Sequence, residues 1–228
     1  MLEVKNALKV YGEGDAKVVA LNNVSLQVNK GDFIAIMGPS GSGKSTLLNV
    51  IGGLDRLSGG EVLLDGKRID NLDENAFVEI RRGEIAYVFQ QYHLLPSLTA
   101  IENVFLPLLF CGADRESFDK AMDILRVVGL EKRAKHKPGQ LSGGEQQRVA
   151  IARSIVNNPS LILADEPTGN MDQQTGADIL GLFDQLNTQG LGIIMVTHSP
   201  EVAEHARETI FLKDGQIVDR VEQKGRIQ

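Results

Sequence analysis

The sequence predicts an α/β fold in which a mostly parallel sheet is preceded by an antiparallel β layer and interrupted by a helical insertion. Three observations carry this reading. Short apolar runs without alternation occur at 33–37, 85–89, 161–164 and 193–196, as expected of strands buried on both faces of a parallel sheet. Ahead of them, Leu2, Val4, Leu8 and Val10, then Val24, Leu26 and Val28, keep mostly period two, the mark of half-buried antiparallel strands. Between the second and third runs the chain changes character: Phe118, Ala121, Met122, Leu125 and Val128 recur at helical spacing, and Gly129 and Pro138 break the pattern. The expected organisation is one domain, 1–228, with a core of 1–91 and 159–228 around a helical subdomain of 92–158.

Taken in order, Gly31-Asp32 marks a turn, and the run at 33–37 leads into Gly38-Pro39-Ser40-Gly41-Ser42-Gly43-Lys44-Ser45-Thr46, which fits G-x-x-x-x-G-K-[ST]. This is a phosphate cradle. Glycines at 38, 41 and 43 permit backbone angles that turn successive N–H groups inward onto a polyphosphate. A helix from about Lys44 to Ile51, stopped by Gly52-Gly53, adds its dipole. Lys44 supplies a cation for the β and γ phosphates, and the Ser45 hydroxyl is placed to ligate Mg²⁺. Residues 61–69 read as two short strands around Asp65-Gly66. Beyond the insertion the pattern predicts a helix near 173–189, a short helix after Pro200, and a hairpin over 209–218 around Asp214-Gly215.

Composition narrows the function. The 228 residues are 42% apolar, enough for a real core, and the 24 glycines suit an α/β chain with many tight loops. Net charge is −6 and no basic run is present, which argues against a nucleic-acid partner. A single cysteine, Cys111, excludes an internal disulfide and suits a reducing compartment; within the apolar stretch 108–112 it is expected to be an inert packed thiol. Residues 1–6 lack the basic region and apolar core of a signal peptide, and no run approaches the ~18 apolar residues of a membrane helix. The expected location is cytosolic, with any membrane spanning left to another chain.

Asp165 and Glu166 end the buried run at 161–164, the edge where α/β sheets bind ligands. Asp165 is expected to hold the Mg²⁺ shell and Glu166 to polarise an attacking water. Leu141-Ser142-Gly143-Gly144-Glu145-Gln146-Gln147-Arg148 is the most discriminating stretch. Ser142 and Glu145 have the spacing of a capping box opening a helix over 146–156, and a glycine pair at a helix N-terminus is also a second anion site. One phosphate chain seldom needs two such cradles. The economical inference is that the second serves a nucleotide on another copy, giving a head-to-tail dimer with two composite ATP sites.

The stretch 141–148 resembles the signature sequence of ATP-binding cassette (ABC) ATPases, and the likeness extends from Tyr11 to about Gly215. It implies a P-loop NTPase (RecA-like) core, ATP and Mg²⁺ as ligands, and ATP hydrolysis. Residues 88–96 and 166–170 resemble the branch of lipoprotein-release, macrolide-efflux and antimicrobial-peptide exporters, which pairs a cassette with a separate or fused permease. The resemblance implies an ATP-dependent homodimer, peripheral on the inner face of the membrane through that permease. Carried over by position, Gln90 is the glutamine that touches Mg²⁺ and senses the permease, and His198 the histidine that contacts the γ phosphate. Tyr11 stacks on adenine; Ser142, Gly143, Gly144 and Glu145 face the partner's nucleotide; Asp172 reaches across the dimer, with Met171 where leucine is commoner. The apolar segment 94–110 divides between subdomain core and a permease groove in a proportion that sequence does not fix. The rival reading is a soluble ABC-type ATPase without transport; a nucleotide kinase or GTPase leaves 141–148 unexplained and lacks an N-K-x-D stretch.

Overall fold

The computed structural model describes residues 1–223, apart from the side chains of residues 15 and 115. Strands β1 (Leu2–Tyr11) and β2 (Val18–Val28) pair antiparallel, and β3 (Phe33–Met37) runs through the glycine-rich loop into α1 (Lys44–Ile51). Strands β4 (Gly59–Leu64) and β5 (Lys67–Arg68) return to the first layer, whose order is β2-β1-β4-β5.

Within β1 the predicted alternation is overturned beyond Val4. Asn6 takes φ 50° and the register with β4 shifts between Lys5 and Leu8, a bulge that inserts one residue and inverts the phase. Ala7 and Lys9 are consequently buried, and Leu8 and Val10 are left half-buried. Opposite the bulge only a glycine fits: a Cβ on Gly60, at φ 88°, would stand 2.4 Å from the Asn6 carbonyl oxygen.

Helix α2 (Glu74–Gly83) precedes β6 (Ile85–Val88) and has no counterpart in the sequence reading. Asp73 caps it by accepting from the Ala76 N–H, and it is largely polar, with Phe77 buried and Ile80 partly buried on one face. The insertion then supplies α3 (Ala100–Leu109), α4 (Arg115–Val127) and α5 (Gly143–Ile155). The chain continues through β7 (Leu161–Asp165), α6 (Gln173–Thr188), β8 (Gly192–Val196), α7 (Pro200–Ala203), β9 (Glu208–Lys213) and β10 (Gln216–Glu222). The second sheet has order β10-β9-β3-β8-β7-β6 and is parallel except at the β9–β10 hairpin. The hairpin is thus part of the central sheet, extending the four predicted strands to six.

Each face of this sheet has its own core. Phe33 and Ala35 of β3 face α3 to α6, together with Val104, Leu125 and Ile151, so the helical insertion shares a core with the sheet. Ile34 and Ile36 face α1 and the antiparallel layer, against Leu47, Ile51 and Val62. Segment 94–110 divides: Ala100, Ile101, Val104 and Leu108 are core, whereas Leu95, Leu109 and Phe110 are exposed. Buried Asn103 ties the preceding loop down, donating to the carbonyls of Leu95, Leu98 and Thr99 and accepting from the Leu95 N–H. Cys111 corrects the expectation of a packed thiol. It is exposed in the turn after α3, where the apolar run outlasts the buried face of the helix. Among the described residues no helix is long and apolar enough to cross a membrane.

Candidate nucleotide site

The loop between β3 and α1 is shaped by glycine and by a brace behind it. Gly38, Gly41 and Gly43 all have positive φ; a Cβ on Gly38 would lie 2.0 Å from the Leu212 carbonyl oxygen, and one on Gly43 2.3 Å from that of Ala20. The turn between β9 and β10 holds the loop from outside: Gly215 donates its N–H to the Ser42 carbonyl and accepts at its own carbonyl from Asn22. Helix α1 starts at Gly43 with no side-chain cap and no acid in its first turn, so its leading N–H groups are left for a ligand. Lys44 is 8% exposed and donates Nζ to the carbonyls of Gly38 and Pro39, each at 2.8 Å, which stations the ammonium over the loop. The buried Ser42 hydroxyl has no partner among the described residues. Ser40 and Thr46 complete the loop, Ser40 exposed and Thr46 beside the Tyr11 phenol.

The end of β7 brings the carboxylates to this loop. Asp165 bonds to Ser45; burial pushes its carboxyl above the usual range, assisted by Glu166 and opposed by Ser45 and Lys44. Glu166 sits at φ 45°, an uncommon conformation for a non-glycine residue, held by its N–H to the Val196 carbonyl. Its Oε1 lies 3.2 Å from His198 Nδ1. A Cβ on Gly169 would meet Gln90 Nε2 at 2.9 Å and Glu166 Oε2 at 3.2 Å, so both side chains converge over that glycine. Gln90 also donates to Asn170 Oδ1 at 3.4 Å.

This donor set suits a hard divalent cation held jointly with phosphate. Among the described residues no three His, Cys, Asp or Glu side chains gather as a metal cage. Mg²⁺ does not need one, since it takes one or two carboxylates and completes its shell with water and substrate phosphates. One carboxylate, Asp165, bonded to one hydroxyl, Ser45, at the mouth of a phosphate loop fits that pattern.

The 142–145 segment stands apart. Ser142 caps α5, its hydroxyl accepting from the Glu145 N–H at 3.2 Å while Glu145 Oε2 accepts from the Ser142 N–H at 2.8 Å, the predicted box. The Ser142 N–H, more than Arg133 at 3.1 Å, holds the Glu145 carboxyl below the usual range. Among the described residues, 142–145 make no hydrogen bond to 38–46. They abut the segment after β7 instead: a Cβ on Gly144 would lie 2.4 Å from Thr175 Cγ2, and Asp172 caps α6 through the Thr175 N–H and hydroxyl. Met171 packs against the core on the α3–α6 face. The sequence reading missed Gln147, which is fully buried and donates Nε2 to the Pro167 carbonyl at 2.8 Å. It also missed Lys9 and Asp55, which surround Tyr11.

A glycine-shaped phosphate loop at the end of β3, with an Asp-Glu pair at the end of β7 one strand removed in the parallel sheet, defines a P-loop nucleotide-binding protein of the α/β class. The family model described as "ABC transporter" matches residues 21–169, and the chain belongs to that family. It is 48% identical over 220 residues to an uncharacterized ABC transporter ATP-binding protein of Methanocaldococcus jannaschii, covering 96% of this chain and 98% of that one. It is also 48% identical over 217 residues to the macrolide export ATP-binding/permease protein MacB of Bdellovibrio bacteriovorus, covering 95% of this chain but 33% of MacB. An ATP-binding cassette of M. jannaschii, solved as a dimer in a post-hydrolysis state bound to ADP and Pi, superposes with TM-score 0.91 at 46% identity, covering 99% of this chain and 100% of that one.

Proposed function

We propose that the chain is the ATP-binding and hydrolysing subunit of an ABC transporter, powering a separate membrane permease through closure and reopening of a homodimer. The observation that carries this is the convergence of Glu166, His198 and Gln90 at the end of β7, where Asp165 meets Ser45 beside Lys44 of the phosphate loop. Lys44 and the amides of residues 38–46 bind and neutralise the phosphates. Glu166 accepts a proton from the attacking water, and His198, whose Nδ1 lies 3.2 Å from Glu166 Oε1, stands beside it and contacts the γ phosphate. Mg²⁺, when bound, supplies charge neutralisation between phosphate oxygens, and Ser45, Asp165 and Gln90 would hold it. Tyr11 stacks on the base. Ser142, Gly143, Gly144, Glu145 and Asp172 complete the site on the partner copy.

The proposed division is a nucleotide-binding core of 1–91 and 159–228, of which 224–228 lie outside the described residues, and a helical subdomain of 92–158 that carries the signature. Leu95, Leu109 and Phe110 are the exposed apolar residues suited to a permease. The likeness to MacB supports export or membrane extraction of a lipoprotein, peptide or drug, at the inner face of the membrane.

Glu166→Gln tests the reading directly. ATP binding should persist, phosphate release should fall on the order of 10³-fold, and gel filtration with MgATP should show a stable dimer. Wild-type phosphate release would remove Glu166 from its role. Affinity purification of this variant from gently solubilised native membranes should recover a polytopic membrane protein; recovery of cytosolic partners alone would favour the soluble ATPase.

A further inference from the structure

Lys9 is a lysine in the middle of a strand with 8% of its surface exposed, a costly position unless its charge is fully engaged. It is engaged twice. Nζ donates to Asp55 Oδ1 at 2.5 Å and to the Arg56 carbonyl at 2.7 Å. The other carboxylate oxygen, Asp55 Oδ2, accepts from the Tyr11 hydroxyl at 2.6 Å, and the Lys9 ammonium lies over the Tyr11 ring, 4.7 Å from its centroid. The ring is thereby fixed at its polar end and across one face, while Tyr11 as a whole stays 41% exposed.

We infer that Lys9 and Asp55 are positioning residues for nucleotide binding, holding the Tyr11 ring as a preformed platform with one face closed by the ammonium and the other left for the purine. The inference rests on the reading of Tyr11 as the base-stacking residue. Three features support it. The bulge at Asn6 turns Lys9 inward, and period two puts Tyr11 on the same side of the strand. Asp55 is carried by the loop that follows α1 and is bonded back to it through the Asn49 carbonyl, which indexes the platform to the helix that begins at the phosphate loop. A cation on one face of a phenol also draws electron density from the other, which suits an electron-rich purine. With its hydroxyl committed to Asp55, Tyr11 offers the base a surface and no further donor.

The test is calorimetric titration of the full chain with ATP and, separately, with inorganic tripolyphosphate, which has no base to stack. Tyr11→Ala should weaken ATP about tenfold, the scale of one base–aromatic stack, and leave tripolyphosphate unmoved. Lys9→Met and Asp55→Asn should each weaken ATP about threefold to fivefold with tripolyphosphate unmoved, and should have no further effect in a Tyr11→Ala background. Lys9→Arg should recover part of the loss. Tyr11→Phe, which keeps the ring and removes the hydroxyl with its bonds to Asp55 and Thr46, covers the case in which the Lys9 or Asp55 variant folds poorly; it should weaken ATP about threefold. Positioning is overturned if Tyr11→Ala weakens ATP but Lys9→Met, Asp55→Asn and Tyr11→Phe bind it as wild type does. It is equally overturned if the Lys9 and Asp55 variants weaken ATP and tripolyphosphate alike, or keep their effect without the ring. Unchanged ATP binding by Tyr11→Ala would instead sink the stacking reading, and positioning with it.

Discussion

Two helices in this molecule begin beside glycines with anion-binding potential, and their N-termini are built on opposite plans. At α1 the residue before the helix is Gly43 in the left-handed region, with no side-chain cap and no acidic residue in the first turn. Helix α5 begins with a complete reciprocal box, in which Ser142 and Glu145 each satisfy the other's backbone N–H and Arg133 pairs with Glu145. A helix end with unsatisfied donors is finished by its ligand. A self-capped end already carries an anion on its dipole and has less to gain from a second. The contrast suits the proposed division of labour, in which α1 holds phosphate and α5 presents an already capped edge to a nucleotide held on another copy.

The largest effect should come from removing the charge that serves the open end. Lys44→Ala is expected to lower phosphate release by at least about 10³-fold and to weaken ATP binding measured by calorimetry. Ser142→Arg attacks the other end and should leave the affinity of a single copy for ATP intact. Phosphate release should still fall about 10²-fold, because ATP-dependent dimerisation, read by gel filtration, is blocked. An unaffected dimer would mean the two ends do not meet across copies.

Smaller substitutions sharpen the contrast through stability. Ser142→Ala deletes a working cap and should cost about 1 kcal/mol, a drop of roughly 2–4 °C in Tm by calorimetry. The open end has no cap to lose, and its stability cost lies in charge instead. Asp165 is held above the usual carboxylate range by burial, so the folded state retains its proton to higher pH than the unfolded chain does. Its ionisation therefore opposes folding as pH rises through the folded value. Asp165→Asn should raise the Tm of the nucleotide-free protein by a few degrees at pH 7, a gain that fades below the ordinary carboxylate pKa of about 3.9. Equal Tm at both pH values would show that the carboxylate is not strained by its surroundings.

Much of this arrangement was legible because its chemistry demands particular residues at fixed spacing. The glycines of 38–43, the carboxylates ending β7 and the Ser142–Glu145 box could be read without coordinates, and four of the sheet strands announced themselves as unbroken apolar runs. What escaped depends on geometry that composition does not encode. Alternation along β1 pointed Leu8 and Val10 inward, and the bulge at Asn6 put Ala7 and Lys9 there instead. Helix α2 is mostly polar, and its apolar face is the short pair Phe77 and Ile80. Strand β9 carries polar ends, Glu208 and Lys213, that hid its place beside β3. Gln147 sits within a motif already explained, and its bond to Pro167 closes over twenty residues of sequence.

The order of the central sheet bears on how the protein is made. Strand β3, which carries the phosphate loop, lies between β8 and β9, pairing Phe33 with Ile193 and Ile34 with Glu208. The loop's outer brace, Gly215, comes later still. A ribosome therefore releases the phosphate loop long before the strands that flank it, while the β1–β2 hairpin can already close. Pairing over such separations is slow, because loop closure is paid before contacts reward it. During synthesis the nucleotide motif therefore emerges before both strands that flank it in the finished sheet.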